Sequence, residues 1–317
     1  MGTTNPRLVS GIHRTHPLYE LYTGIKNNLL IGKTPVKNPM AIHVGGQPGS
    51  GKTRLIEIAQ AFFPDENVIV LDNDSWFQTL NGCPKVVVYG KKEHVPWWRH
   101  IQALRTMAVK DLTAHNFNML VHWTMGNNEV CHRIKEQKLR GYKPAIIAIA
   151  CSLFESRLSE IDRLTKDLVE NRQARFFKRP IYDQVYYGLA TTLTQLETER
   201  YVDDIIICDR TRVYTELYYK DKFDQKYVSN QLRIQRCQTA AQVLKAVCES
   251  QWSTSKIDEY TKNCGAIIEQ MHNCYVNGFI EAAGLTETDY AEIILELQTL
   301  PYEAVASLNS NSQNNSF

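Results

Sequence analysis

One stretch near the start of the chain has the residue types and spacing of a phosphate-binding P-loop. It follows the pattern G-x-x-x-x-G-K-[ST] and consists of Gly46, Gln47, Pro48, Gly49, Ser50, Gly51, Lys52 and Thr53. Glycines let backbone N–H groups turn toward phosphate oxygens, the lysine supplies a cation, and the threonine hydroxyl is a Mg²⁺ ligand. A strand-length apolar run precedes it at 40–44 and a helical period follows at 54–63. These surroundings favour nucleotide phosphate binding over a glycine-rich turn that binds nothing.

Two acidic residues follow the next apolar run. Residues 68–71 read Val-Ile-Val-Leu, and Asp72 and Asp74 come directly after them. At the carboxyl end of a strand an acid can hold Mg²⁺ or accept the proton of an attacking hydroxyl. We expect Asp72 to be a metal ligand and Asp74 to be the general base. The alternative is that both are turn-forming residues, since Asn73 between them favours a turn.

A basic segment lies between the fourth predicted strand and the helix that begins near residue 181. Its cations are Arg157, Arg163, Arg172, Arg175, Lys178 and Arg179. Phosphoryl transfer spreads negative charge over the equatorial oxygens, which arginines commonly neutralise. Glutamates and aspartates are interleaved with these cations, so an exposed helix face with i,i+4 pairs is the alternative for any single arginine.

The elements that must position these residues alternate between strands and helices from residue 40 to about 210. Continuous apolar runs predict strands at 40–45, 68–72, 118–123, 145–150 and 204–208, and helical spacing predicts helices at 97–115, 128–140, 152–170 and 181–199. Uninterrupted apolar strands are typical of a sheet buried on both faces. The prediction is an α/β fold with a parallel sheet of about five strands flanked by helices, and an all-helical C-terminal extension.

The chain divides by pattern into four regions. We predict an N-terminal helical lead-in at 1–39, with a helix at 17–30, and the α/β domain at 40–210. The extension at 211–306 carries helices at 228–248 and 254–284 without further strands. The polar, low-complexity tail at 307–317 is predicted to be disordered.

Composition narrows the class of protein. The 317 residues are 43% hydrophobic and 22% charged, as in packed globular proteins. A net charge of +2 is too small to indicate nucleic-acid binding through a bulk field. We find neither a long apolar run nor a signal-peptide core, so we expect no membrane segment and a cytoplasmic location. The eight cysteines show no paired ligand spacing, which argues against a zinc site.

Together these motifs resemble the zeta-toxin family of bacterial kinases. The segment Gly45–Thr53 is followed after fourteen residues by Val68–Asp74, and the weaker matches 94–96 (His-Val-Pro) and 177–180 (Phe-Lys-Arg-Pro) follow in the same order. The resemblance covers about residues 20–210. It implies a P-loop kinase-type sheet in a zeta-toxin-like kinase domain. It also implies a kinase that uses a nucleoside triphosphate, ATP or GTP, with Mg²⁺. That family phosphorylates a sugar hydroxyl of UDP-N-acetylglucosamine, and related effector kinases phosphorylate NAD.

The resemblance also implies roles for particular residues. Lys52 and Thr53 match the phosphate and Mg²⁺ residues, and Asp74 matches the catalytic base. Arg163 matches a family arginine by its spacing after the fourth strand, and Arg179 matches the arginine just ahead of the proline. The resemblance therefore gives Asp74, Lys52, Arg163 and Arg179 as catalytic residues.

The chain departs from the family on the acceptor side. After its third strand the family usually shows Glu-Gly-Thr and then Gly-Arg, whereas residues 122–126 here read His-Trp-Thr-Met-Gly. We expect acceptor binding by His122 and Thr124, with a stacking ring from Trp97 or Trp123. The alternatives are a buried, backbone-bonded His122 and tryptophans that only pack the core.

The leading hypothesis is a kinase of a small nucleotide-type metabolite, NAD or UDP-N-acetylglucosamine, that acts as a toxin or effector. An antitoxin or chaperone partner follows from that reading, and an effector would be delivered into a host cell. A nucleotide-dependent switch that hydrolyses slowly is the alternative from another class. A polynucleotide end kinase is a third hypothesis, although the modest net charge makes nucleic acid an unlikely partner.

Overall fold

The computed structural model describes residues 18–314 apart from positions 61, 64–65, 211–215, 221–225, 228–238 and 251. The strands are β1 (Met40–Gly45), β2 (Ile69–Leu71), β3 (Val86–Tyr89), β4 (Met119–Trp123), β5 (Lys143–Ala150), β6 (Ala174–Phe177), β7 (Asp204–Asp209), β8 (Glu216–Lys220) and β9 (Lys226–Tyr227). The main sheet has the order β2-β4-β1-β5-β7-β8-β9, and its first five strands are parallel. The predicted α/β fold with five parallel strands is confirmed.

Four strands were missing from the sequence-based prediction. β3 and β6 pair with each other in a separate parallel two-stranded sheet. β8 and β9 extend the main sheet beyond β7 in antiparallel fashion, so the prediction of no strands after residue 211 was wrong. β3 and β6 have only four residues each and β9 has two, so they are too short for a strand period to be recognised in the sequence.

The helices are α1 (Tyr19–Leu29), α2 (Lys52–Gln60), α3 (Val95–Ala114), α4 (Glu129–Leu139), α5 (Leu153–Val169), α6 (Arg179–Thr198), α7 (Ala240–Cys248), α8 (Thr254–Val276), α9 (Phe279–Ala282) and α10 (Glu287–Asn314). The lead-in helix and the four helices between strands agree with the prediction to within about two residues, the usual uncertainty of helix ends. None of the helices in the described part of the chain has the length and apolar character needed to cross a lipid bilayer.

The C-terminal region differs from its prediction in three places. The predicted helix 254–284 is interrupted at Gly278, whose left-handed backbone (φ 73°) ends one helix and precedes the next. The predicted helix 228–248 is seen only as α7, because residues 228–238 lie outside the described part. The tail predicted to be disordered is helical as far as Asn314, since α10 continues through it.

Both faces of the main sheet are covered by helices. Ile146 and Ala148 of β5 pack in a cluster with side chains of α3, α4 and α6. Ile147 and Ile149 point to the opposite face and pack with side chains of α2. This period of two explains the uninterrupted apolar sequence of β5, because every residue is buried on one side or the other.

The C-terminal helices pack on α5 and on the small sheet. Side chains of α8, α9 and α10 form one hydrophobic cluster with α5, β3 and β6. The predicted boundary at residue 210 between a kinase domain and an extension stays a prediction. In the structure, however, the extension shares a core with elements that precede that boundary.

A buried ion-pair network joins α10 to α5. The side chain of Arg157 is fully buried, and it donates to the carboxylate of Glu160 at 2.6 Å and to the backbone oxygen of Phe177 at 2.7 Å. Its Nε and a second terminal nitrogen donate to the two carboxylate oxygens of Glu296 on α10, each at 2.6 Å. Arg157 is therefore fully engaged by protein groups and is not one of the phosphate-binding cations expected from the basic segment.

Replacing Arg157 with methionine removes the cation paired with Glu160 in the core and leaves Glu296 only its longer contact with Arg179 at 3.4 Å. We expect Arg157→Met to lower the free energy of unfolding by about 3–5 kcal/mol, as when one member of a buried ion pair is removed. Urea denaturation measures this change. The matched control is Lys166→Met on the same helix, because its ion pair with Asp162 is more exposed. That substitution is expected to cost less than about 1 kcal/mol. Equal losses in the two variants would contradict a stabilising network at Arg157.

Candidate active site

A cavity of about 420 Å³ lies beside the P-loop at the carboxyl ends of the strands. Its wall includes Pro48 and Lys52 of the P-loop, Asp74 after β2, and His122 and Thr124 at the end of β4. In parallel α/β sheets this edge is where ligands bind, since loops from neighbouring strands meet there. The fold thus brings together the phosphate-binding residues, an acid and the two expected acceptor residues.

The P-loop has a backbone that requires glycine and packs tightly on α5. Gly49 has φ 74°, and a Cβ atom at this position would collide with the backbone oxygen of Ser156. The amide of Gln47 donates to the backbone oxygen of Cys151 at 2.8 Å and to the Ser156 hydroxyl at 3.2 Å. The buried hydroxyl of Ser50 has no hydrogen-bond partner among the described residues. Packing on α5 and the hydrogen bonds of Gln47 therefore hold the loop in place, while the hydroxyl of Ser50 remains available to a ligand.

The ammonium of Lys52 is buried in the P-loop, where its charge is unfavourable unless a bound phosphate neutralises it. Its Nζ is buried and donates to the backbone oxygen of Gln47 at 2.7 Å. Burial lowers the pKa of Lys52 to about 7, and the positive charges of Arg175 and Arg163 act in the same direction. A phosphate group beside these cations would favour the charged lysine, because a nearby anion opposes both effects.

The two acids and His122 form one cluster. The ligand atoms of Asp72, Asp74 and His122 all lie within 4.8 Å of one another, and Nδ1 of His122 is 3.3 Å from a carboxylate oxygen of Asp72. Burial lowers the pKa of His122, so the neutral ring donates its Nδ1–H to Asp72. Burial opposes ionisation of Asp72, but the contact with His122 and the backbone N–H of Asp74 outweigh it, and its pKa lies below the usual value.

This donor set fits Mg²⁺. Carboxylate and hydroxyl oxygens are the ligands that this ion prefers, and Asp72 offers a half-buried carboxylate 3.3 Å from His122, which lines the cavity. Thr53 is exposed at the start of α2, in the position expected of a P-loop hydroxyl ligand. Asp72 and Thr53 are accordingly the residues that would hold the ion. Asp74 is separately engaged, since its carboxylate forms an ion pair with Arg175.

The basic segment contributes two cations to the site. Arg175 on β6 lines the cavity, and Arg163 on α5 lies beside a smaller cleft that also includes Asp74. One terminal nitrogen of Arg163 is buried without a hydrogen-bond partner among the described residues. The charges of both arginines act on Lys52, so the three cations lie near one another. Anionic phosphate oxygens would satisfy all of them.

Arg179 is not brought to this place. Its guanidinium pairs with Asp183, Glu296 and Glu303 at 2.8, 3.4 and 2.9 Å, and it does not line the cavity. The sequence match to a catalytic arginine is therefore not supported by the geometry. The physical reason is that three carboxylates on α6 and α10 hold the side chain at the first turn of α6.

The expectation for Trp97 also fails, and its neighbour takes its place. Trp97 packs beside Gly82 and His100 and does not line the cavity, whereas Trp98 and Trp123 do. Successive residues on a helix point about 100° apart, so only one of the two tryptophans at the start of α3 can face the cavity. Sequence alone offered no way to choose between them.

A buried histidine fixes the ring of Trp123. The indole N–H of Trp123 donates to Nδ1 of His43 at 2.9 Å, and Nε2 of His43 is 2.7 Å from the side-chain oxygen of Gln137. An indole nitrogen can only donate, so Nδ1 must be the acceptor and Nε2 must carry the proton. Burial lowers the pKa of His43 to about 4, which keeps this neutral tautomer at physiological pH. Trp123 is thereby held in one orientation in the cavity wall.

Several cavity residues escaped the sequence analysis. Arg105 on α3 lines the cavity and lies 3.9 Å from the ring centroid of Trp123. Tyr89 and Phe177, at the ends of β3 and β6, stack with 4.0 Å between ring centroids and also line it. Arg175 was noted only as one of six cations. The small sheet that places three of these four residues has strands of four residues, too short to be recognised from periodicity.

Comparisons of the sequence with known proteins point to one family. The family model described as zeta toxin matches residues 27–222, more than half of the chain. Toxin zeta of Streptococcus pyogenes is 27% identical over 199 residues, which are 60% of this chain and 67% of that protein. Toxin PezT of Streptococcus pneumoniae serotype 4 is 26% identical over 233 residues, which are 71% and 84% of the two chains.

Solved structures show the same fold. A structure of the PezAT chromosomal toxin-antitoxin system of Streptococcus pneumoniae superposes with a TM-score of 0.60 at 19% identity, covering 83% of this chain and 98% of that one. A structure of AvrRxo1-ORF1:-ORF2 with ATP superposes with a TM-score of 0.50 at 11% identity, covering 91% and 87%. The family match spans the P-loop, the acid pair and both cavity arginines. The chain belongs to the zeta-toxin family of P-loop kinases.

Proposed function

We propose that this protein transfers the γ-phosphate of ATP or GTP, with Mg²⁺, to a hydroxyl of a small nucleotide-type metabolite. The observation that carries the proposal is a single cavity whose wall contains both Lys52 of the P-loop and the acid Asp74. A nucleotide-dependent switch needs the P-loop but does not need a cavity of about 420 Å³ that extends from Lys52 to Asp74 and Thr124. An acceptor hydroxyl in this cavity would lie between the phosphate site and a carboxylate.

Each residue has a role in this proposal. Lys52, Arg163 and Arg175 neutralise the charge of the transferred phosphoryl group. Mg²⁺, held by Thr53 and Asp72, supplies further charge neutralisation when bound. Asp74 accepts the proton of the acceptor hydroxyl, and its ion pair with Arg175 keeps the carboxylate at the cavity wall.

The acceptor side of the cavity favours a dinucleotide such as NAD over UDP-N-acetylglucosamine. Trp98, Trp123 and the stacked pair of Tyr89 and Phe177 give the wall an aromatic surface. The wall carries His122 and Thr124 where the family usually has a glutamate and a threonine. Flat rings bind to aromatic side chains, while a sugar hydroxyl is better bound by a carboxylate.

The proposal includes a protein partner and a biological role as a toxin or effector. A structural neighbour comes from a toxin-antitoxin system, and the other is a complex of two open-reading-frame products. We propose an antitoxin or chaperone that restrains the kinase, and action in a cytoplasm, either that of the producing cell or that of a host.

Loss of the P-loop cation tests the donor half of the site. We expect Lys52→Ala to abolish phosphoryl transfer while the protein stays folded, because the buried ammonium serves phosphate and makes only one hydrogen bond to protein. The measurements are transfer from labelled ATP and the melting temperature. Lys110→Ala, on the exposed side of α3, is the matched control and should retain full activity. A folded, nucleotide-saturated Lys52→Ala variant that still transfers phosphate would refute the assignment.

The two acids are distinguished by their different roles. Asp74→Asn should bind nucleotide normally and turn over about 10²–10⁴ times more slowly, the usual effect of removing a general base. Asp72→Asn should instead raise the Mg²⁺ concentration needed for half-maximal rate, because a metal ligand is lost. Single-turnover rates over a Mg²⁺ titration measure both effects. The assignment is wrong if saturating Mg²⁺ restores Asp74→Asn, or if Asp72→Asn is the slower variant at saturating Mg²⁺.

The acceptor is tested by direct comparison. NAD and UDP-N-acetylglucosamine are offered separately with ATP, and phosphorylated product is measured by mass spectrometry. We expect product on NAD, and a KM for it that rises about 5- to 100-fold in Trp98→Ala, since stacking on one base is worth about 1–3 kcal/mol. Trp97→Ala is the matched control, one residue away and outside the cavity, and should leave KM unchanged. Efficient turnover of UDP-N-acetylglucosamine with none on NAD would overturn the preference for a dinucleotide.

A further inference from the structure

Arg105 is a cation in the cavity wall to which none of the described residues forms a hydrogen bond. Its guanidinium lies over the ring of Trp123, and its Nε is buried without a hydrogen-bond partner among the described residues. No ion pair to this side chain is formed within the described part of the chain. Stacking uses only the face of the guanidinium, so the N–H donors at its edge, of which the Nε–H is buried, are available to a ligand in the cavity.

The side chain remains charged and is held in place. Burial lowers the pKa of Arg105 to about 10, with opposing effects from Glu129 and Tyr89, so it is a cation at neutral pH. Trp123 beneath it is fixed by the hydrogen bond to His43, which is in turn bonded to Gln137. A donor group that is preorganised in this way, with unsatisfied N–H groups at a cavity, is suited to binding an anion.

Arg105 and the phosphate-transfer cations are carried by different elements of the cavity wall. Arg105 lies on α3, over the ring of Trp123, whereas Lys52 begins α2 and Arg175 lies on β6. Tyr89 is acted on by the charges of Arg105, Arg175 and Asp74, so the two parts of the wall adjoin.

The composition of the wall favours an anion there. The one carboxylate lining the described cavity is Asp74, and it is paired with Arg175. The wall near α3 and β4 offers Arg105 together with the neutral amides of Gln102 and Asn127. A planar guanidinium matches the oxygens of a phosphate in a two-pronged arrangement, while the adjacent aromatic rings match a base.

We propose that Arg105 binds a phosphate or diphosphate group of the acceptor, and so selects nucleoside diphosphate compounds over free nucleosides and sugars. This inference rests on the proposed kinase function. It adds the residue that recognises the diphosphate group of the acceptor.

The test is direct binding with the P-loop filled. Isothermal titration calorimetry is carried out on the full chain saturated with Mg²⁺ and a non-hydrolysable ATP analogue. The probes are NAD and UDP-N-acetylglucosamine, each compared with its phosphate-free counterpart, nicotinamide riboside and uridine. Arg105→Met should weaken binding of at least one diphosphate probe about 10- to 100-fold, as expected for loss of charge-assisted hydrogen bonds. It should leave nucleoside binding unchanged.

Two further variants keep the result interpretable. Arg105→Lys retains the charge but loses the planar arrangement of N–H donors, so its affinity for the diphosphate probes should lie between those of wild type and Arg105→Met. It also provides a second measurement if Arg105→Met does not fold. Lys110→Met is the matched control, because it removes a cation from the exposed side of the same helix, outside the cavity wall. Unchanged affinity for the ATP analogue shows that each variant is folded.

The outcomes separate this inference from the proposed function. Equal binding of the diphosphate probes by wild type and Arg105→Met overturns it, and so does an equal loss for the nucleosides, which would indicate packing alone. Failure of the wild type to bind either diphosphate probe also overturns it. A selective loss in Arg105→Met supports the inference even if neither probe is phosphorylated, in which case only the kinase proposal for those acceptors fails.

Discussion

The close approach of the P-loop to α5 is the constraint on which the rest of the site depends. Gly49 touches the backbone of Ser156 so closely that no side chain fits between them, and Gln47 is hydrogen-bonded to the same turn of the helix. The hydroxyl of Tyr182 on α6 donates to the Ser156 hydroxyl at 2.6 Å. The next residue of α5, Arg157, links the helix to α10. The orientation of the phosphate-binding backbone is therefore fixed by α5, and α5 is fixed by helices from the far end of the chain.

The site collects positive charge that the protein itself only partly balances. Burial lowers the pKa of Lys52, and Arg175 and Arg163 lower it further; the cavity wall also carries Arg105, Lys91 and Lys92. Asp74 neutralises Arg175, but Arg163 and Arg105 each retain a buried nitrogen without a partner in the described residues. Unsatisfied buried donors cost stability in the free protein, and an anionic ligand recovers that cost on binding. Such a site is suited to a ligand that carries negative charge both near Lys52 and near Arg105.

Rigidity on the acceptor side comes from neutral groups. His43 is buried and has a pKa of about 4, so it holds Trp123 by hydrogen bonds that do not change with pH in the physiological range. The stack of Tyr89 on Phe177 joins the ends of β3 and β6, and with them the helix α3 that begins a few residues later. Aromatic walls of this kind have few rotamers to lose when a flat ligand binds, which lowers the entropic cost of association.

The sequence by itself determined what depends on local spacing. The P-loop, the acids after β2 and the five parallel strands follow from residue order, because a glycine-rich loop and short uninterrupted apolar runs are local patterns in the sequence. The tertiary structure decided what depends on which side chains face one another. It directed Trp98 and not Trp97 into the cavity, drew Arg157 and Arg179 into ion pairs with α10, and brought Arg175 and Arg105 to the wall. Those outcomes depend on pairing between short strands and on carboxylates more than a hundred residues away along the chain. Local sequence patterns cannot predict either kind of contact.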